Sequence, residues 1–369
     1  MNERVIVALS GGVDSAVAAL LLRRAGRDVE ALHMTNWDQD EAGYCTAAAD
    51  WQDARRVADE LGMPLHRVSF AAEYRERVFS HFLADYAAGL TPNPDILCNR
   101  EVKFGACLDY MRRLGGRWLA TGHYARIATT DGSHRLLRAR DREKDQSYFL
   151  QQMPRAALGA TLFPLGALTK GEVRDLARRA GLPVHDRPDS AGICFIGERP
   201  FRAFLETYLK PRPGPIETAT GEPLGRHDGL MYHTIGQRHG LRIGGHRQHA
   251  GTPWYVARKD IARNALIVVQ GHDHPLLRVA ALTTGPVAWL AAEPAARLEC
   301  SVQVRHRQTP VPCRLEWSAG GARVSLATAL CAVAPGQHAA FYVGEECLGG
   351  GVIVAAESGA DARVESSAA

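Results

Sequence analysis

The sequence predicts an α/β protein with an N-terminal doubly wound parallel sheet, a small central domain and a C-terminal β-barrel. Three observations carry this expectation. Short apolar runs alternate with helical stripes from Val5 to Ala120. A break hostile to regular structure, Lys210-Pro211-Arg212-Pro213-Gly214-Pro215, follows Leu209. Beyond about residue 276, apolar residues recur at every second position. A chain of 369 residues also exceeds the usual size of one hydrophobic core. The expected units are 1–205, 206–275 and 276–357, with a loose tail over 358–369.

Val5 to Leu9 reads as the first strand and Ala16 to Arg24 as the first helix, ended by Gly26. Val29 to Met34 is a second strand. Thr46 is placed to cap a helix whose Trp51, Ala54, Ala58 and Leu61 share one face, closed by Gly62 and Pro64. Leu65 to Phe70 is strand-like. Tyr74, Val78, Phe82 and Tyr86 then form a helical stripe that ends at Gly89. Asn99 is expected to cap a helix from Arg100, with Val102, Leu108 and Met111 inward, and Trp118 to Ala120 is another short strand. Alternation of this kind places a ligand at the carboxyl ends of the strands. Near the other end, Leu298, Cys300, Val302 and Val304 alternate with polar neighbours, as do Val311, Cys313, Leu315 and Trp317. Cys300 and Cys313 therefore belong to a barrel interior.

Composition narrows the function classes. An apolar fraction of 46% with 23% charged residues is that of a globular protein. No apolar run approaches membrane-spanning length, and Met1 to Arg4 lead into only five apolar residues, unlike a secretory signal. Eight scattered cysteines without a Cys-x-x-Cys pair fit neither a disulfide scaffold nor a zinc site, so a reducing cytoplasm is expected. A net charge of +4 permits a nucleic-acid partner without demanding one.

The chemistry concentrates in five segments. Ser10-Gly11-Gly12-Val13-Asp14-Ser15 joins the first strand to the first helix. Glycines allow close backbone approach, and a helix N-terminus offers unpaired N–H groups to a phosphate. The lysine of a Walker loop is absent, which favours attack at an α-phosphate over γ-phosphoryl transfer. In Thr91 to Asn99, two prolines fix the backbone around Asn93, Asp95 and Cys98, and the thiol lies near the expected helix start, where a thiolate is favoured. Cys194 sits between Gly192 and Gly197, as an accessible sulfur carrier would. Thr121-Gly122-His123-Tyr124 follows a strand, and the basic run Arg138 to Lys144 precedes Asp145-Gln146-Ser147-Tyr148, a combination suited to RNA. The plainer alternatives are an ordinary turn, buried thiols and a solvated charged face.

Together these segments resemble the bacterial tRNA-specific 2-thiouridylase family. The resemblance rests on Ser10 to Ser15, Asn36-Trp37, Tyr44 to Asp50, Thr91 to Asn99, Thr121 to Tyr124, Lys144 to Phe149, Gly192 to Arg199 and Tyr232 to Arg238. Pro253 to Val256, Arg305 to Gln308 and Leu348 to Gly351 extend it over nearly the whole chain. It implies a PP-loop ATPase fold of the adenine-nucleotide α-hydrolase type. It also implies ATP, with Mg2+, on Ala8, Leu9, Ser10, Gly11, Gly12, Val13, Asp14 and Ser15, with Met34 and Gly122 at the nucleotide. By the same resemblance Cys194 carries a persulfide supplied by a sulfur-relay or cysteine-desulfurase protein. Cys98 is the second catalytic thiol, forming a disulfide with Cys194, and Asp95 is a general acid/base. Asn93, Pro94 and Asp95 hold the target base, while His123, Lys144, Asp145, Gln146, Arg305, His306 and Gln337 contact tRNA. Departures from the family pattern are Thr35, Ala191, His306 and Arg187-Pro188.

Two other readings use parts of the same sequence. A ligase that adenylates a carbonyl for attack by an amine would also use such a loop, but has no use for both Cys98 and Cys194. A non-catalytic RNA-binding module would use only the barrel and the basic segments.

Overall fold

The computed structural model describes residues 3–37, 47–189, 200–243 and 251–358. Its first sheet is parallel and five-stranded: β1 (Val5–Ala8), β2 (Val29–Thr35), β3 (Leu65–Ser69), β4 (Trp118–Ala120) and, after the hairpin β5 (Ala125–Thr130) and β6 (Ser133–Arg138), β7 (Thr161–Leu162). The order is β3-β2-β1-β4-β7, with Val5 paired to Val29 on one side and to Trp118 on the other. The chain therefore fills one side of β1 and then switches to the other. The crevice between β1 and β4 is the topological switch point, where open α/β sheets take their ligands.

Side-chain alternation explains why both faces are covered. Val5 and Val7 join a core with Val17, Ala54, Val57, Val173 and Ala177, from the helices α1 (Val13–Arg24), α2 (Ala47–Glu60) and Lys170–Arg179. Ile6, Leu32 and Leu119 face the opposite core, with Phe82 from a helix over 71–87, α3, and Val102, Phe104 and Met111 from a helix over 94–113, α4. Hence Lys170–Arg179 is α5. Its start is well specified: the Thr169 hydroxyl accepts from the Glu172 N–H while Glu172 accepts from the Thr169 N–H.

Four expectations need correction. The helix bearing Cys98 begins at Pro94 with Asn93 as its cap, so Asn99 caps nothing; its amide donates to the Phe149 carbonyl at 3.0 Å instead. A proline at the first helical position is pre-set for that role. Cys98 consequently lies a full turn inside, in a stretch of wide i→i+5 turns over Cys98–Ala106, beyond the free N–H groups of the helix start. Gly214 and Pro215 are not part of the irregular break but open a strand, Gly214–Thr218. That strand joins Pro223–His227, Trp254–Asp260 and Ala265–Gln270 in a four-stranded sheet. Ser358 ends a strand, Glu346–Ser358, and does not begin a tail.

The C-terminal strands form a nine-stranded sheet that also takes in β5 and β6, Cys347 pairing with Leu136 and Glu346 with Leu137. The sequence reading missed this hairpin. It joins the parallel-sheet region to the barrel, whose His306 faces Asp95 of α4 and whose Gln337 donates to the loop before it. Within the barrel, Cys313 is buried and Cys300 half-buried, directly paired across two strands with sulfurs 3.6 Å apart. No described helix is long and apolar enough to cross a membrane.

Candidate active site

The turn after β1 organises itself through its two serines. The Ser10 and Ser15 hydroxyls lie 3.1 Å apart. Ser15 Oγ donates to the Gly12 carbonyl at 3.0 Å and accepts from the Ser10 N–H at 3.2 Å, while the Gly12 N–H donates to Ser10 Oγ. With glycine as the cap residue, no side chain covers the first amides of α1. Gly11 has φ of +87°, and a Cβ there would stand 2.4 Å from the Asp50 carbonyl oxygen. Gly122, after β4, packs on the same turn: a Cβ would stand 2.7 Å from the Ser15 nitrogen. Only glycine allows the two strand ends to approach this closely.

The residue after Gly122 reaches the second cluster. His123 Nδ1 lies 2.7 Å from the Thr121 hydroxyl, and its ring sits 5.8 Å from Phe104 of α4. Burial, aided by the Lys103 ammonium, holds His123 well below its ordinary pKa, so the imidazole is neutral. Lys103 also faces Asp95 and Cys107. Burial raises the Asp95 carboxyl above its ordinary pKa against the opposing pull of Lys103 and His306. His306, lowered by burial, lies 3.1 Å from the Asp145 carbonyl through Nε2 and makes a tilted ring contact with Phe149 at 4.6 Å. Cys98 is buried at 2% exposure beside Cys107, whose thiol is pushed up to about 12, chiefly by burial. A raised carboxyl, a neutral imidazole, an ammonium and a thiol thus share one small volume. Perturbed titratable groups gathered in this way are characteristic of functional sites.

The loop leading into α4 is held from the barrel. Gln337 Nε2 donates to the Thr91 carbonyl at 2.7 Å, and the Thr91 hydroxyl donates to Thr234 at 3.4 Å. Arg305, exposed, donates to the Ala332 carbonyl.

A family model described as "tRNA methyl transferase HUP domain" matches residues 3–198. Models for a tRNA methyl transferase PRC-barrel domain and an aminomethyltransferase β-barrel domain match 202–270 and 279–353. The tRNA-specific 2-thiouridylase MnmA of Hahella chejuensis is 53% identical over 354 residues, 95% of this chain and 97% of that one. The proteins of the same name from Marinobacter nauticus and Methylobacillus flagellatus are 54% and 51% identical. They align with 95% and 96% of this chain and with 91% and 100% of their own. This chain belongs to the tRNA-specific 2-thiouridylase family.

Against that family's expected residues, the structure gathers two groups. Ala8 to Ser15 and Gly122 meet at the switch point, with Met34 at the end of the neighbouring strand β2. Asp95, Cys98, His123 and His306 are linked through Lys103 and Phe104, and Asn93 and Pro94 begin their helix. Cys194 lies outside the described residues, as do Thr46, Gly192 and Gly197. The basic run behaves less simply than a free RNA-binding strip. Arg138 lies over the Tyr342 ring, Arg140 pairs with Glu172, Arg142 with Glu345 and Lys144 with Asp189. The Asp145 carboxylate is turned inward, accepting from the Ala139 N–H and the Ser147 hydroxyl, and Gln146 accepts from the Tyr124 N–H.

Sequence reasoning overlooked Lys103 and Lys170, and gave Tyr124, singled out within its motif, no role of its own. Lys170 contacts both Asp14 oxygens at 2.8 Å, and the Tyr124 hydroxyl donates to Asp14 at 2.8 Å. A lysine at the first position of a helix, where the dipole disfavours a cation, was the available signal.

Proposed function

We propose that this chain replaces the 2-oxygen of the wobble uridine in tRNA by sulfur, using ATP and giving 2-thiouridine, AMP and pyrophosphate. The observation that carries this reading is the packing of Gly122 on the Ser10–Ser15 turn, immediately before His123 meets the cluster of Asp95, Cys98 and Lys103. A phosphate-binding turn and a thiol centre one residue apart suit a reaction that first activates a carbonyl oxygen and then replaces it. The names of the relatives support the same substrate and product.

ATP is held along Ala8 to Ser15, with Met34 and Gly122 at the nucleotide. The uracil 2-oxygen attacks the α-phosphorus and pyrophosphate leaves. The resulting adenylate makes that oxygen a good leaving group. A persulfide on Cys194, loaded by a sulfur-relay or desulfurase protein, attacks C2 through its terminal sulfur and AMP departs. Thiolate Cys98 then attacks the Cys194 sulfur. The S–S bond breaks, 2-thiouridine is freed, and a Cys98–Cys194 disulfide remains for reduction by an external thiol. Asn93, Pro94 and Asp95 hold the base, and Asp95 exchanges its proton. His123, Lys144, Gln146, Arg305 and His306 contact the tRNA, with Asp145 supporting them from inside and Gln337 holding the Thr91 loop beside them. Magnesium fits as an ion entering with the triphosphate. No group of three His, Cys, Asp or Glu side chains among the described residues would hold it alone, and magnesium is commonly held by phosphate oxygens. The need for reduced thiols suits a cytoplasmic enzyme.

The test is mass spectrometry of nucleosides from tRNA incubated with the protein, ATP and a persulfide source. A sulfur-for-oxygen increment lost in Cys98→Ala and in Cys194→Ala is expected. A methyl increment, as the family-model descriptions would suggest, or full activity in either variant would overturn the reading.

A further inference from the structure

Lys170 is the point at which the phosphate turn connects to a second acidic residue. Its ammonium has three N–H donors. Three contacts use them: both oxygens of Asp14 at 2.8 Å and one oxygen of Asp189 at 2.7 Å. Its side chain is only 12% exposed. Asp189 in turn gathers Lys144 at 2.8 Å and Arg174 at 2.9 Å. Burial opposes ionisation of Asp189, yet the hydrogen bonds from Lys144 and Lys170 outweigh it and hold the carboxyl down at about 2. Asp189 is thus a permanent anion among three cations. Asp141 accepts from the Lys170 and Lys144 backbone N–H groups, and Arg187 donates to the Gly11 carbonyl at 2.9 Å.

This arrangement has a cost and a geometry that structure alone does not require. At the first position of α5, Lys170 sits on the positive end of the helix dipole. The helix is already started by Thr169 and Glu172, and anchored by buried Val173 and Ala177. Lys170 adds nothing to that start. What it reaches is Asp14, in the first turn of α1, beside the amides expected to meet phosphate. A triphosphate arriving there brings several negative charges within reach of an ammonium whose donors are all occupied.

We propose that Lys170 is a nucleotide-binding residue of this enzyme and that Asp189 is its internal competitor. When ATP enters, Lys170 keeps Asp14 and exchanges its Asp189 contact for a phosphate oxygen, leaving Asp189 to Lys144 and Arg174. Asp189 therefore weakens nucleotide binding in the resting protein. The inference rests on the phosphate-turn reading given above and adds the identity of the cation and of the group that restrains it.

Equilibrium binding of Mg-ATP to the full-length protein, without tRNA, separates the two. Asp189→Asn keeps the size of the side chain but removes its charge, and is expected to bind ATP up to about fivefold more tightly, the range of a partly exposed ion pair. Lys170→Gln is expected to weaken binding by about tenfold or more, as for loss of a charge-assisted contact to phosphate. Lys170→Arg should recover part of that loss. The decisive comparison is the double variant. If Asp189 acts by holding Lys170, the gain from Asp189→Asn disappears in the Lys170→Gln background. A gain of equal size in both backgrounds, or tighter binding in neither, overturns the competition. Unchanged binding in Lys170→Gln overturns the lysine's role. Thermal melts distinguish a failure to fold, and Asp189→Ala with Lys170→Met repeats the cycle with different side chains. Absence of ATP binding by the unsubstituted protein would overturn the phosphate-turn reading along with this one, whereas the other outcomes fall on this inference alone.

Discussion

The two halves of the candidate site are built in opposite ways. The phosphate turn is local: a strand, six consecutive residues and a helix, with its hydrogen bonds running between Ser10, Gly12 and Ser15. The thiol cluster is assembled across the chain. Asp95 and Cys98 come from α4, His123 from the end of β4, and His306 and Gln337 from the barrel. The backbone path of the first half is set by neighbouring residues, with Gly122 and Lys170 as its packing and charge partners from elsewhere, whereas the second depends on barrel contacts for its geometry. Substitutions in the two halves should therefore fail differently.

The sharpest division concerns Cys98. Cys98→Ala removes a sulfur but leaves the turn untouched, so thiolation should fall by about 10³-fold or more while ATP binding stays at the unsubstituted value. Nucleoside mass spectrometry and equilibrium binding read the two quantities separately. A parallel loss of ATP binding would show that the halves are not independent.

Asp95 tests the cluster through its charge. Asp95→Asn is expected to cost about 10²- to 10³-fold in turnover, as for loss of a general acid/base. If the carboxylate is the base, the acid limb of the pH–rate profile lies above the ordinary carboxyl range and is absent from the variant. Stability should move the other way. Burial raises the folded-state pKa above its unfolded value, so the native state holds a proton that the unfolded state has lost. The stability contributed by that proton is full below the unfolded pKa and is lost as pH rises through the folded one. Asn never ionises. The variant should melt higher than the unsubstituted protein at neutral pH, and this advantage should shrink in acid, as thermal melts across pH would record.

Gly122 joins the halves, and substitution there should damage both. The neighbours of an added Cβ are the backbone atoms of Asp14 and Ser15, which cannot rotate aside. Gly122→Ala would push the start of α1 away from β4, and a displacement of this kind costs on the order of 10²-fold in rate. ATP binding and thiolation should fall together, in contrast to Cys98→Ala. Thiolation lost at full ATP affinity would place Gly122 with the thiol cluster alone.

The same local–distant contrast decides what the sequence could reveal. The turn, the parallel strands and the inward stripes Val102-Leu108-Met111 and Tyr74-Val78-Phe82-Tyr86 follow from neighbouring residues, and all these stripe side chains are buried except Tyr86, which is half-buried. The start of α4 was misread because Asn99 and Asn93 are both acceptable caps, and only Pro94 at the first helical position separates them. The pairing of Cys347 with Leu136 joins strands about 200 residues apart, and no pattern in either segment announces the other. Lys103 looks like an ordinary surface lysine on an amphipathic helix until the fold brings Asp95 and His123 against it, whereas Lys170 differs only in standing at the first position of its helix.

The smallest effect is expected at Gln337, where the barrel touches the loop before α4. Its amide donates to the Thr91 carbonyl at 2.7 Å, and the neighbouring Gly336 leaves no room for a side chain, since a Cβ would stand 2.8 Å from the Thr91 nitrogen. The loop is thus held by shape as well as by this hydrogen bond, and the Thr91 hydroxyl adds a contact to Thr234. Thr91 is half-buried, so water can replace the lost donor and the cost should fall near the low end of about 0.5–1.5 kcal/mol for one hydrogen bond. Gln337→Ala is therefore expected to lower kcat/KM for tRNA only a few-fold, with ATP binding unchanged. Gln337→Glu should do worse, because its carboxylate would face the carbonyl it replaces a donor for. If alanine proves as damaging as glutamate, Gln337 acts on the tRNA directly, and the barrel contributes to recognition more than to the shape of the loop.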